Sequence, residues 1–234
     1  MKMTKTKLAK GFTLVELLVV IAIIAALAAL STPVVLKQQK KAAATEAVNN
    51  AKQHFILLFE FDQDNGKYPG DSTTMSTGAV AATSSAAFKE FFIASQIDSE
   101  DIFYAKTGWS VKPDGDIGVA PTYLTALDTD ECGFTYTMKG ADAAFGTTDP
   151  SGVPLVATPA AVKAFTGNNF SVSAFGGKAV ILFNDGAVKS LPITPSSGDP
   201  TEGLVNISVG GTATAIFTAG NPSLSALPTI LPAL

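Results

Sequence analysis

The sequence predicts an α+β fold, with one long N-terminal helix leading into a domain of a short helix and β-hairpins. Three observations carry this reading. Glycine is absent from Phe12 to Phe61, and apolar residues recur there at helical spacing. An almost unbroken apolar run, Leu17 to Leu36, fills the first half of that stretch. Further along, the pattern changes to strand-like runs punctuated by turn residues, with hairpin signals at Asn184-Asp185-Gly186 and Gly210-Gly211.

The leader carries Lys2, Lys5, Lys7 and Lys10, a positive segment that favours retention on the cytoplasmic side of a membrane. Leu17 to Leu36 spans about 30 Å as a helix, which matches a hydrocarbon core. The chain is therefore expected to cross a membrane once, with its N-terminus in the cytoplasm. Glu16 sits at the edge of this run. A charge there is expensive, and an isolated anchor gains nothing from it. Pro33 is the only helix breaker and is expected to kink or loosen the helix. The hydroxyls of Ser31 and Thr32 are placed to satisfy freed carbonyls.

Lys37, Lys40 and Lys41 mark the outer membrane boundary. Beyond them a stripe runs through Ala44, Val48, Ala51, Phe55, Leu58 and Phe59, with Glu46, Asn49, Lys52 and Glu60 on other faces. This half is amphipathic and is expected to pack against a soluble domain. Gly66 suits the left-handed position after a helix, and Pro69 blocks its resumption. Residues 71–84 read as loop, and Ser85 to Ile97 as a short helix capped by Ser84 or Ser85, with Phe88, Phe91 and Phe92 in the core. Gly133 to Met138 alternates like a half-buried strand. Lys178–Phe183 and Ala187–Leu191 form the clearest hairpin, and Leu204–Val209 with Ala213–Phe217 a second. The tail from Asn221 to Leu234 holds three prolines and reads as loop or poorly ordered chain.

The 234 residues allow one globular domain plus an anchor. Removing the leader's four lysines leaves 12 basic against 20 acidic residues, a net of −8, which disfavours nucleic acid as a partner. The single cysteine, Cys132, cannot form an internal disulfide and reads as a buried apolar residue. Catalysis is not supported. His54, the one histidine, reads as a surface or domain-contact residue with no nucleophile placed beside it. There is no phosphate loop and no Cys/His metal cluster, so no cofactor is expected apart from a possible calcium ion. Asp114, Asp116, Asp128, Asp130 and Glu131 are the candidate oxygen ligands. Neither acidic segment fits a helical calcium-loop pattern, and solvated acidic loops are the favoured reading.

The string Lys10-Gly11-Phe12-Thr13-Leu14-Val15-Glu16 resembles the class III signal of type IV pilins and type II secretion pseudopilins. The resemblance implies that a membrane peptidase cuts between Gly11 and Phe12 and that Phe12 is then N-methylated. It divides the chain into a leader (1–11), a membrane-spanning and filament-core helix (12–36), an amphipathic continuation (37–61), an α+β head (62–220) and a proline-rich tail (221–234). Pro33 falls where many family members carry a helix-kinking proline. The head is implied to be an antiparallel sheet packed on the outer half of the helix. Implied partners are the prepilin peptidase/methyltransferase, an ATP-driven assembly platform in the bacterial inner membrane, and other pilin-like subunits or copies of this chain. The head would lie in the periplasm or outside the cell, and the role would be structural rather than enzymatic.

Glu16 is expected to pair with the Phe12 amine of a neighbouring subunit. Either charge alone in low dielectric is costly, so the pair would set register. Within one chain Phe12 and Glu16 are an i, i+4 pair, so an internal contact is also open. The Asn65-Gly66-Lys67-Tyr68-Pro69 junction resembles that of major pseudopilins. Related pseudopilins bind calcium in loops instead of using a disulfide. Both points favour a type II secretion pseudopilin over a surface type IV pilin. Two other readings remain: a membrane-tethered binding module that never polymerises, and an ordinary secretory signal cut at Ala26-Leu27-Ala28. Glu16 and the continuing helical pattern argue against the latter.

Overall fold

The computed structural model describes residues 12–162, 165, 169–209, 212–217 and 229–231. Contacts divide the chain into two compact units, which meet between Gln39 and Lys40. Helix α1 runs without interruption from Leu14 to Asn65, 52 residues, and includes Pro33. It ends four residues beyond the expected Phe61. Gly66 follows at φ +78°, and its N–H bonds the Asp62 carbonyl at 2.7 Å. A left-handed residue of this kind closes a helix end, and glycine adopts it without steric cost.

From Lys40 onward α1 buries Ala43, Ala47, Asn50, Ala51, His54, Leu57, Leu58, Phe61 and Asp62. The buried face is thus turned by about one residue from the predicted stripe. Ala44, Val48 and Phe55 only flank the core, and Phe59 is 47% exposed. The reason is His54. It takes the central position among Phe88, Phe103 and Phe134, with ring centroids 4.6–5.2 Å away, and so rotates the stripe around itself.

Helix α2, Ser84–Ile93, is shorter than the predicted 85–97. Its N-cap is Thr83, whose hydroxyl accepts the Ala86 N–H at 3.1 Å. Ser84 is occupied elsewhere, since its hydroxyl accepts the N–H of Tyr136 at 2.8 Å. Phe88, Phe91 and Phe92 are fully buried, as expected for core residues.

The sheet comprises β1 (Thr135–Met138), β2 (Pro154–Thr158), β3 (Phe170–Ser171), β4 (Lys178–Phe183), β5 (Val188–Pro195), β6 (Glu202–Val209), β7 (Thr212–Ala215) and β8 (Thr229–Leu231). Their order is β3-β6-β5-β4-β2-β1-β8, with β7 also on β6, and all pairings are antiparallel. The predicted 178–191 hairpin is present, with Ile181 opposite Lys189 and Leu182 opposite Val188. Gly186 takes φ +76° at its turn, and a Cβ there would lie 2.7 Å from the Phe55 ring. β6 and β7 form the second hairpin, while Gly210 and Gly211 lie outside the described residues.

Two expectations change, and one strand appears where the sequence offered no reading. β1 is buried on both faces, not half-buried, because the sheet carries a core on each side. One core packs against α1 and α2. The other holds Phe165, Phe170, Ile181, Ile193, Ile216 and Phe217. β2 joins the centre of the sheet although a proline starts it and another follows it. The tail, predicted as loop, supplies β8, which pairs with β1 at the sheet edge.

Candidate functional site

The first candidate site is the N-terminal end of α1. Gly11 lies outside the described residues. Every residue from Phe12 to Leu36 is exposed in the single chain, including Phe12 at 76% and Leu14 at 79%. The segment has mean hydropathy 2.8 in its most apolar window, none of it buried. An apolar surface this continuous is stable only in lipid or against other apolar helices.

Glu16 is not loose at this end. Its Oε2 accepts the Thr13 N–H and the Thr13 hydroxyl, both at 2.8 Å. The Thr13 Oγ1 in turn accepts the Glu16 N–H at 3.2 Å. This is a capping box in which Thr13 and Glu16 satisfy each other's free backbone donors at the helix start. The carboxylate therefore sits over the first turn, next to the residue that becomes the amino terminus if the chain is cut after Gly11. The sequence reading found Glu16 but missed Thr13, although the Thr-x-x-Glu spacing was visible.

Around Pro33 the two hydroxyls act as predicted in kind but not in target. The Ser31 hydroxyl donates to the carbonyls of Leu27 (2.9 Å) and Ala28 (3.3 Å), and the Thr32 hydroxyl to Ala28 (2.8 Å). Pro33 withholds its N–H from Ala29, one residue further on. A side chain bonding one turn back reaches the carbonyls before that gap.

The second candidate site is acidic. Carboxylate oxygens of Glu100, Asp114 and Glu131 lie within 4.8 Å of one another. Asp114 and Glu131 were predicted, whereas Glu100 was not. It is 1% exposed and separated from the other two in sequence, so no local pattern marks it. Glu100 accepts the N–H of Gly115 at 3.2 Å and that of Leu127. Glu131 accepts those of Asp114 (3.1 Å) and Asp128 (2.7 Å). Burial pushes the Glu100 carboxyl above its ordinary value, the Leu127 N–H opposes this, and the charges of Glu131 and Asp114 add to it. The other predicted ligands stand outside the group. Asp116 accepts the Gly118 N–H and the Thr125 hydroxyl, Asp128 contributes its backbone N–H, and the Asp130 carbonyl accepts from Val111. Chemically the three clustered carboxylates form a partial oxygen set for a hard cation, which takes six to eight oxygens in the case of calcium.

His54 and Cys132 belong to the core. Of the two places expected for His54, surface or domain contact, it takes the second: it is fully buried against Phe88, Phe103 and Phe134, and among the described residues neither ring nitrogen has a hydrogen-bond partner. Burial lowers its imidazole to about 3, and the nearby Ile102 backbone opposes this. Cys132 is buried, donates to the Phe134 carbonyl at 3.3 Å, and is pushed up by burial to about 12, which leaves it an unreactive thiol.

Together these features define a class: among the described residues, one apolar helix long enough to cross a membrane, with an antiparallel α+β head. Residues 6–32 match the model of the prokaryotic N-terminal methylation motif. The chain thus carries the class III prepilin signal typical of type IV pilins and pseudopilins, and this motif supports a type IV pilin-like subunit processed by a prepilin peptidase. No curated protein and no solved structure is detectably similar to this chain.

Proposed function

We propose that this chain is a structural subunit of a type IV pilus-like filament, and more narrowly a type II secretion pseudopilin assembled from the bacterial inner membrane. The observation that carries the filament reading is the exposed apolar segment of α1, most of which the methylation motif covers, with Glu16 held over the helix start by Thr13. In the membrane that surface faces lipid, and in a filament it faces the same segment of neighbouring subunits. The leader is removed after Gly11, Phe12 is methylated, and its ammonium becomes the partner that Glu16 meets on an adjacent subunit. A carboxylate and an amine buried together are tolerated where either alone is not, so the pair admits a subunit only at the correct height.

The pseudopilin branch is favoured by the absence of a possible internal disulfide and by the Asn65–Pro69 junction. Tyr68 of that junction donates to the Asn184 Oδ1 at 2.7 Å, and Asn184 donates to the carbonyls of Gly146 and Asp149. This network ties the helix end to the β4–β5 turn without a covalent staple. Calcium at the Glu100, Asp114 and Glu131 group belongs to the same reading. Calorimetric titration of the protein with calcium tests it, and the absence of both heat and thermal shift removes it.

The filament reading is tested by electron microscopy of sheared surface and envelope fractions, with Glu16→Ala beside the wild type. Short envelope-bound stubs lost in the variant are expected. Long surface fibres would point to a pilus instead, and normal filaments from the variant would remove the register role of Glu16.

A further inference from the structure

The head carries an open apolar groove of about 650 Å³ beside α2, lined by Met75, Val80, Ala86, Ile93 and Leu124. Two charged residues reach it, Lys89 and Glu90. Glu90 is 5% exposed, and its Oε1 already accepts the Ser76 N–H (3.1 Å) and hydroxyl (2.8 Å). Lys89 spends one N–H on the Leu124 carbonyl at 2.9 Å, and an ammonium has three. The groove therefore offers an apolar floor with one cation at its rim.

A complementary feature stands on a different element. On the outer half of α1, Ile56 is 62% and Phe59 47% exposed, on the face turned away from the core. Glu60, also exposed, lies one turn after Ile56. This makes a convex apolar shoulder bordered by an acid.

We infer that the groove beside α2 receives the Ile56–Phe59 shoulder of a second copy of this chain, with Glu60 meeting Lys89. The inference rests on the filament reading above. Copies anchored by the same N-terminal segment enter the membrane in one orientation. A polymer of such copies is held by heterologous contacts, in which one patch meets a different patch on the next copy. Such contacts need two complementary surfaces on one chain, and an apolar shoulder with an acid beside an apolar groove with a cation is such a pair. Without its leader the chain has 12 basic against 20 acidic residues, so unpaired head contacts repel, and a matched Glu60–Lys89 contact favours one register over others.

The test uses the full-length protein in the bacterium that makes it. Phe59→Cys and Ile93→Cys are made singly and together, and sheared filaments are treated with a short bis-maleimide. Cys132 is buried and stays silent. The double variant is expected to give a ladder of covalent multimers and each single variant none. Dimers from Phe59→Cys alone would mean that the shoulder meets itself and would overturn the inference. Separately, Glu60→Lys and Lys89→Glu are each expected to lower filament yield several-fold, and their combination to recover at least half. Failure to recover overturns the pairing. Filaments that form without a ladder remove this inference alone, whereas a wild type that forms none removes the filament reading with it.

Discussion

The histidine at the centre of the head makes its stability depend on pH in a way that can be worked out in advance. His54 lies among Phe88, Phe103 and Phe134, fully buried, with its imidazole lowered from 6.5 to about 3. The folded protein thus holds it neutral, while the unfolded chain protonates it below its ordinary value. Between about pH 6.5 and 3 the unfolded state binds the extra proton, so stability falls as the solution is acidified. From pH 7 to pH 5 the loss is about 2 kcal/mol. Glu100 has the opposite sign: its raised carboxyl contributes stability that is fully present below 4.5 and is lost as pH rises. Asp71, lowered to about 2 with its bonds to Thr73 and Lys67 outweighing burial, contributes stability lost only as pH falls below about 3.8. The difference between wild type and His54→Phe isolates the histidine from both. The assay is denaturant unfolding of the protein in micelles, followed by the fluorescence of Trp109, the only tryptophan. His54→Phe is expected to be the more stable by about 1–2 kcal/mol at pH 7, since it removes two unpaired buried nitrogens. Its advantage should widen by about 2 kcal/mol at pH 5. An advantage that stays constant from pH 7 to pH 5 would refute the burial argument.

Other outcomes follow from the same geometry. Gly186→Ala places a Cβ against the Phe55 ring at a left-handed φ and should lower stability by about 1–3 kcal/mol, read from the denaturant midpoint. An unchanged midpoint would mean that the turn is not clamped on α1. Glu100→Gln should flatten the part of the pH profile in which wild type loses stability as pH rises above 4.5, and a profile that keeps this slope would assign it to another group. Thr13→Ala removes the hydroxyl bonds at Glu16, whereas Thr13→Ser retains them. Filament yield should fall for alanine and hold for serine, and equal yields would show that the capping box has no part in assembly.

Much of the architecture could be read from local pattern. The glycine-free stretch gave α1, the apolar run gave its first half, and Asn184-Asp185-Gly186 gave the central hairpin. What was missed depended on contacts distant in sequence. His54 lies deeper, and Phe59 more exposed, than the stripe suggested because a polar ring can be buried when aromatic rings surround it, and those rings come from α2, the 3-10 turn at 101–103 and the residue before β1. β2 was hidden by its prolines, which break a strand signal but are tolerated at a strand's first residue. At the N-terminal end the sequence identified Glu16 from its charge, and the structure added Thr13 as its partner. In the acidic group Asp114 and Glu131 were legible as clusters. Glu100 was not, because only folding brings it to them.

The residue with which the mature protein begins decides most directly whether the chain is a processed filament subunit. Intact-mass and N-terminal analysis of the protein released from sheared filaments should give a chain starting at Phe12 and carrying one added methyl group. A chain that retains its leader, or one that starts near Ala29, would contradict this processing.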